Sequence, residues 1–340
     1  MSNSLARYTG HPGAWKASDL TKEKISFDLG PGHLRAFEKI MDEARKRNLT
    51  LRTASESDFS LVEIHDDIRR IADEVLHRRG VIIIRGWPVE TYTPEEMGLL
   101  FWAVGKQLGV PVEQSHHGDR LNQVIDLGGG RAYNSNIPLD MHSDFAALVG
   151  LLAIRKAKLG GHSGIASALA IHDKIVETHP EYLAPLYAGY YVHWQGEEAK
   201  GERSLITDYR VPVFSEVEGQ LSVFMVKPFV EQAARNKEMT QLQRDALDYF
   251  QQVADSDEFA YKFMLEPGEA SLMSNYTVLH SRSTFEDWPE VERRRLLLRL
   301  WLKLHPGDRR PLLPNLQRLH THDGFYVSAK NGEAPQVSAT

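Results

Sequence analysis

Within residues 138–163 the chain sets an imidazole and a carboxylate two residues apart, His142 and Asp144, just ahead of the apolar run 146–154. Along a strand, side chains at i and i+2 share a face, so His142 and Asp144 point the same way with Cα atoms about 6–7 Å apart. Both can then reach one metal ion from one side. The candidate third ligand is His280, in Ser274-Asn275-Tyr276-Thr277-Val278-Leu279-His280-Ser281-Arg282. Two histidines and one carboxylate make a facial set that leaves three coordination positions open, the arrangement of non-haem Fe(II) oxygenases. A strand-rich fold that returns to one spot from distant segments is therefore required.

The order of elements agrees with that requirement. The periodicity predicts helices over 33–48, over 60–80 (opened by a capping-box pattern at Ser60 and Glu63) and from Thr93 to the stop at Gly109. Between the last two, the apolar run 81–85 reads as a buried strand. Short strands then dominate, at 123–127, 148–154, 164–168, 189–194, 211–214, 220–226, 259–265, 269–273 and 294–304, with helices at 169–178 and 240–255. Helices in front and many short strands behind give an α+β fold, a β-sandwich or jelly roll with N-terminal helices and a helical insertion. We expect an irregular arm at 1–30 lying over the site, one domain over 31–320 with its insertion near 229–256, and a tail at 321–340.

Composition limits the chemistry. The 340 residues contain no cysteine, which removes disulfides, thiolate metal sites and cysteine nucleophiles and suits a cytoplasmic setting. Fifteen histidines remain as the soft ligands. With 40 Lys plus Arg against 46 Asp plus Glu, the net charge of −6 gives no basis for nucleic-acid or anionic-membrane binding. No run approaches the ~18 apolar residues of a membrane span. The expected partner is a small-molecule substrate, with homo-oligomerisation left open.

An isolated His-x-Asp pair is a weak signal, and the segment after His280 adds to it. In Arg293-Arg294-Arg295-Leu296-Leu297-Leu298-Arg299-Leu300-Trp301-Leu302, read as a strand, the even-numbered leucines share one face, while Arg295, Leu297, Arg299 and Trp301 share the other. Arg293 and Arg294 suit a solvated cationic edge. Arg295 suits a buried carboxylate anchor, since guanidinium binds carboxylate bidentately and keeps its charge. Leu159-Gly160-Gly161-His162-Ser163 suggests a tight turn delivering Ser163 into a strand, a pattern that an ordinary turn also explains. Trp194, Tyr190 and Tyr191 read as core, whereas Tyr133 and Trp301 are better placed to line a pocket. Asp140 reads as an acid ending a loop. His172, His179 and His193 read as surface, cap or packing residues, and His116 and His117 as the histidines outside the motif best placed to face the pocket.

In this order the motifs Leu-Asp-Met-His-Ser-Asp, Gly-Gly-His-Ser, Val-Leu-His-Ser-Arg and Arg-Arg-Leu-Leu-Leu-Arg-Leu-Trp resemble the TauD/TfdA family of Fe(II)/2-oxoglutarate dioxygenases, over residues 81–304. The resemblance implies a double-stranded β-helix with His142, Asp144 and His280 as iron ligands. It implies that Arg295, helped by Ser163, holds the distal carboxylate of 2-oxoglutarate, and that Arg299 contacts an anionic substrate group. O₂ is the second co-substrate, and succinate and CO₂ the co-products. Halogenating relatives carry a small residue at the position of Asp144, so the carboxylate here implies hydroxylation, with desaturation, epoxidation and ring formation as alternatives. Two rivals use the same residues. A zinc hydrolase could employ the His/Asp/His set but has no need of an inward Arg295. A non-catalytic cupin-like sensor would bind metal or ligand without turnover.

Overall fold

The computed structural model describes residues 6–55, 57–114, 119–129, 132–194 and 204–320. The chain opens with β1 (Ser26–Asp28), α1 (Pro31–Lys46), α2 (His65–His77), β2 (Val81–Arg85) and α3 (Pro94–Gly105). Next come β3 (Val110–Pro111), β4 (Asn122–Val124), β5 (Leu139–His142), β6 (Leu148–Arg155), β7 (Leu159–Gly160) and β8 (Ser163–Ser167), then α4 (Ala168–Thr178) and α5 (Leu183–Ala188). The hairpin β9 (Phe214–Val217) and β10 (Gln220–Val223) leads into α6 (Lys227–Ala234) and α7 (Gln241–Asp255). Last are β11 (Tyr261–Phe263), β12 (Glu269–Ser274), β13 (Val278–Arg282), β14 (Phe285–Glu286), β15 (Leu296–Lys303) and α8 (Pro314–His320).

Two sheets organise this mixed α/β fold. The larger runs β1-β2-β12-β6-β15-β3, with β4 also paired to β15, and the smaller runs β11-β8-β13-β5. Alternation along β15 ties sequence to layers. Leu296, Leu298, Leu300 and Leu302 enter a core shared with Phe37, Ile71 and Trp102 of α1, α2 and α3. Leu297 and Trp301, one residue out of phase, enter a second core with Ile165, Phe263 and Val278 of the smaller sheet. The two sheets therefore face one another across that second core. The outer face of the smaller sheet, including Ala166 and Leu279, packs against α4, α5 and α7 in a third core.

Several elements differ from expectation. Among the described residues the segment 189–194 forms no strand ladder, only the isolated bridges Tyr190↔Val211 and His193↔Ile206, and His193 N–H donates to Phe229 O. The helix expected from Ser60 begins as a 3-10 turn, Val62–Ile64, with no side-chain cap, and becomes α-helical only at His65. Residues 261–263 alone form the strand expected over 259–265.

Within the first thirty residues, β1 pairs parallel with β2 and sets Phe27 opposite Ile84. Trp15, Leu20 and Ile25 from the same stretch enter the core between the sheets. The arm expected over the site thus seals the core instead. The tail expected at 321–340 lies outside the described residues. Among the described residues no helix is long and apolar enough to cross a membrane.

Candidate metal and co-substrate site

β5 and β13 are antiparallel neighbours, and their register sets His142 opposite His280. Directly opposed residues point to the same side, so both imidazoles face the larger sheet, with ring centroids 4.3 Å apart. β5 ends at His142, so Asp144 does not share its face by strand alternation as expected. The turn after β5 brings it round. Ser143 donates its N–H to Met225 O (2.8 Å) and its hydroxyl oxygen accepts from Met225 N–H (3.0 Å). Asn275, fully buried, accepts from Asp144 N–H (3.2 Å) and donates to Ala146 O (2.8 Å). Fixed in this way, Asp144 Oδ1 lies 4.0 Å from His142 Nε2 and Oδ2 lies 3.7 Å from His280 Nε2. One ligand atom from each of the three residues falls within 4.8 Å of the other two.

The protonation states suit a metal. His142 Nδ1 sits 2.8 Å from Asp140 O, an acceptor, so the proton is on Nδ1 and the Nε2 lone pair faces the site. Asp140 contributes that carbonyl, while its side chain is exposed. Burial, reinforced by His142 and opposed by Asp144, holds His280 down at about 3, a neutral imidazole. Burial alone would raise Asp144, but Arg299, His280, His142 and the Trp301 N–H together outweigh it and keep the carboxyl below its ordinary value. The ligand set therefore presents two lone pairs and one negative charge.

Arg299 lies beside this set. Its Nη1 is 3.8 Å from Asp144 Oδ2 and its Nε donates to Gln114 Oε1 (2.9 Å), while Gln114 Nε2 donates back to Arg299 O (2.7 Å). The guanidinium lies over Trp301 (4.3 Å) and Tyr133 (5.2 Å), which places both pocket candidates against one cation.

Arg295, immediately before β15, is 5% exposed and packs over Phe285 at 5.2 Å. Its backbone N–H donates to Asp287, yet its buried Nη1 has no hydrogen-bond partner among the described residues. Burial and the nearby Arg282, opposed by Asp287, lower it to about 9, so it stays charged near neutrality. The glycine pair contributes directly here. Gly161 has φ +76°, and a Cβ there would come 3.2 Å from Arg295 Nε, so the backbone passes over the arginine only because no side chain intervenes. Ser163 stands opposite Arg282 on β13, on the same face of the smaller sheet as His280.

Four residues here were not picked out by sequence reading: Arg282, Gln114, Asn275 and Phe285. Arg282 is buried, packs over Phe285 at 5.0 Å and donates to Ser135 O and Ile137 O (2.9 and 2.6 Å). Its place two residues beyond His280, on the same strand face, was the available signal. Arg294, expected as a solvated edge, instead donates to Trp288 O, Asp126 O and Pro289 O and ties two loops together. His116 and His117 lie outside the described residues. His172 contacts Tyr187, His193 bridges to Ile206, and His179 stacks on Tyr182.

Comparison with known proteins supplies the wider setting. The family model described as "Taurine catabolism dioxygenase TauD, TfdA family" matches residues 45–301. FR-33289 synthase of Streptomyces rubellomurinus is 32% identical over 256 residues, spanning 72% of this chain and 75% of that protein. The taurine hydroxylase-like protein SAT17 of Stachybotrys chartarum is 25% identical over 293 residues, 78% and 72% of the two chains. Among solved structures, asparagine oxygenase in complex with Fe(II), 3-hydroxyasparagine and succinate matches with TM-score 0.61 at 14% identity, over 84% of this chain and 98% of that one. The non-haem iron oxygenase OrfP with Fe and α-ketoglutaric acid gives 0.62 at 15%, over 88% and 100%. At such identities the two structures share the fold.

Proposed function

The chain belongs to the TauD/TfdA family of Fe(II)- and 2-oxoglutarate-dependent dioxygenases, and on that premise we propose that it hydroxylates an unactivated C–H bond of a small anionic molecule. Iron(II) bound with 2-oxoglutarate and O₂ supplies the oxidising power, with succinate and CO₂ released. The chain's own residues do the rest. His142, Asp144 and His280 hold the metal, and Arg295 holds the distal carboxylate of 2-oxoglutarate with Ser163 beside it. Arg299 and Tyr133 bind the anionic group of the substrate. We take residues 31–320 as one catalytic unit and the two facing sheets as a double-stranded β-helix.

The observation that carries this reading is the buried Arg295 guanidinium with an unpartnered Nη1, on the same protein as a converged His/Asp/His set. A buried guanidinium with an unsatisfied donor is costly unless a ligand completes it. A retained carboxylate at 144 favours hydroxylation over halogenation. The Arg299 guanidinium, 3.8 Å from Asp144 and held on edge by Gln114, offers a cation close to where a C–H bond would be oxidised, which favours a substrate bearing a carboxylate or similar anion.

The test is anaerobic titration of Fe(II)-loaded protein with 2-oxoglutarate, followed by a screen of small anionic metabolites under O₂ for a product 16 mass units heavier, the mass of one oxygen atom. A weak visible charge-transfer band that appears with 2-oxoglutarate and is lost in His142→Ala supports the site. No band with iron bound, or a product that has lost hydrogen without gaining oxygen, overturns the ligand or the hydroxylation reading respectively.

A further inference from the structure

The indole N–H of Trp301 donates to Asp144 Oδ2 at 2.8 Å, and nothing in the ligand set itself requires it. We propose that Trp301 is a positioning residue that occupies Oδ2 and restricts Asp144 to a single bond to the metal, through Oδ1. The proposal rests on the reading of His142, Asp144 and His280 as ligands.

The placement is specific. Trp301 lies on β15 opposite Val149 of β6, and strand phase turns its ring into the core between the sheets, where it is 4% exposed. Burial does not by itself give an indole a partner in this protein: Trp15 donates to a backbone carbonyl, Arg79 O, but other buried indoles have none. Trp87, Trp102 and Trp194 are buried, and none of their Nε1 atoms has a hydrogen-bond partner among the described residues. Trp301 differs in being aimed at a carboxylate. The Arg299 guanidinium lies 4.3 Å over the same ring and withdraws electron density from it, which strengthens the N–H as a donor. The backbone of Asp144 is meanwhile held by Asn275, which fixes the point from which the carboxylate reaches the indole.

The consequence concerns how many positions stay open. A carboxylate can bind a metal through one oxygen or two. A two-point Asp144 would take one of the three positions that a facial set leaves free, and a bidentate co-substrate would take the other two, leaving none for O₂. A hydrogen bond to one oxygen favours the one-point mode and orients the other toward the metal. Trp301 thus acts on the number of open positions through Asp144, without touching the metal or the co-substrate.

The test uses Trp301→Phe, which keeps an aromatic ring in the core and deletes the donor. Wild type and variant are titrated anaerobically with Co(II), whose visible d–d spectrum reports coordination number, and then with 2-oxoglutarate. The expected result is an altered Co(II) spectrum before 2-oxoglutarate is added and Co(II) binding weaker by about tenfold or more. An unchanged spectrum with Co(II) binding within twofold of wild type overturns the proposal. If Trp301→Phe does not fold, ¹⁵N-indole resonances of wild-type protein are followed instead as Zn(II) is added. A shift of one slowly exchanging indole, absent in Asp144→Asn, supports the proposal, and six indoles indifferent to Zn(II) overturn it. Wild-type protein that binds no Co(II), or whose binding survives His142→Ala, overturns the ligand reading and this proposal with it.

Discussion

Arg295 is a cation held inside the protein with one buried donor, Nη1, unsatisfied among the described residues. Charge-assisted hydrogen bonds contribute about 1.5–3 kcal/mol each, so Arg295→Ala should weaken 2-oxoglutarate binding about ten- to hundredfold. The metal ligands do not contact Arg295, so Co(II) or Fe(II) affinity should stay near wild type. Succinate formation measured against 2-oxoglutarate concentration checks the first part and anaerobic metal titration the second; unaltered co-substrate dependence removes Arg295 from the site. This residue could be read from sequence because it shares phase with Arg299 and Trp301 ahead of a leucine row on the opposite face. Gln114 and Asn275 could not. Their partners lie 185 and 131 residues away, and an amide in a sequence carries no sign of which backbone group it will meet.

The strand carrying His142 is held in place by a helix from the inserted segment. From α7, Gln251 Nε2 donates to Met141 O (3.1 Å), and Asp255 Oδ1 accepts from Met141 N–H (3.0 Å), so both backbone groups next to His142 are gripped. Gln251→Leu keeps the volume but strips a donor from a buried carbonyl, at a cost of about 1–3 kcal/mol. We expect a lower denaturation midpoint and weaker Co(II) binding although no ligand is changed; equal metal affinity in the variant would mean that β5 holds its position without α7. A second prediction belongs to the loop before α2. The Ser55 N–H and hydroxyl, with Arg47, hold Asp58 down at about 2, below an unfolded value near 3.9. A depressed carboxyl stabilises the fold above its unfolded pKa, and that share is lost as pH falls toward the folded value. Wild type should therefore lose more stability than Asp58→Asn between pH 4 and pH 2, and parallel acid melts would refute it. At this scale the long amphipathic helices α1 and α7 were legible, as were β2, β6 and β15. β13, which carries His280, was not read as a strand, because Val278-Leu279-His280-Ser281-Arg282 places three polar groups in five residues. Its face is polar for the sake of the site, and local pattern gives way there.

For the whole molecule, helices first and strands after was enough to indicate a sheet-based α+β architecture, but not what the first thirty residues do. That depends on contacts across the fold. Trp15 donates to Arg79 O (2.9 Å), Gly13 O accepts from Ser167, and Ala17 N–H reaches Glu258 O (3.0 Å). Register gives the direction: Ser167 pairs with Val278 at one end of the β8–β13 ladder, and Ser163 pairs with Arg282 at the other. The arm thus closes the end of the inter-sheet core away from Arg282, and Trp15 fills it at 4% exposure. Emptying a buried tryptophan site costs about 3–5 kcal/mol because the walls relax only partly. Trp15→Ala should lower unfolding free energy by that amount in a denaturant melt. A lid over the site would behave differently, since its loss changes co-substrate and substrate binding before it changes stability. If the folded fraction of Trp15→Ala binds 2-oxoglutarate as wild type does, the arm is a seal on the core. A large rise in the 2-oxoglutarate requirement with little loss of stability would instead return the arm to the mouth of the active site.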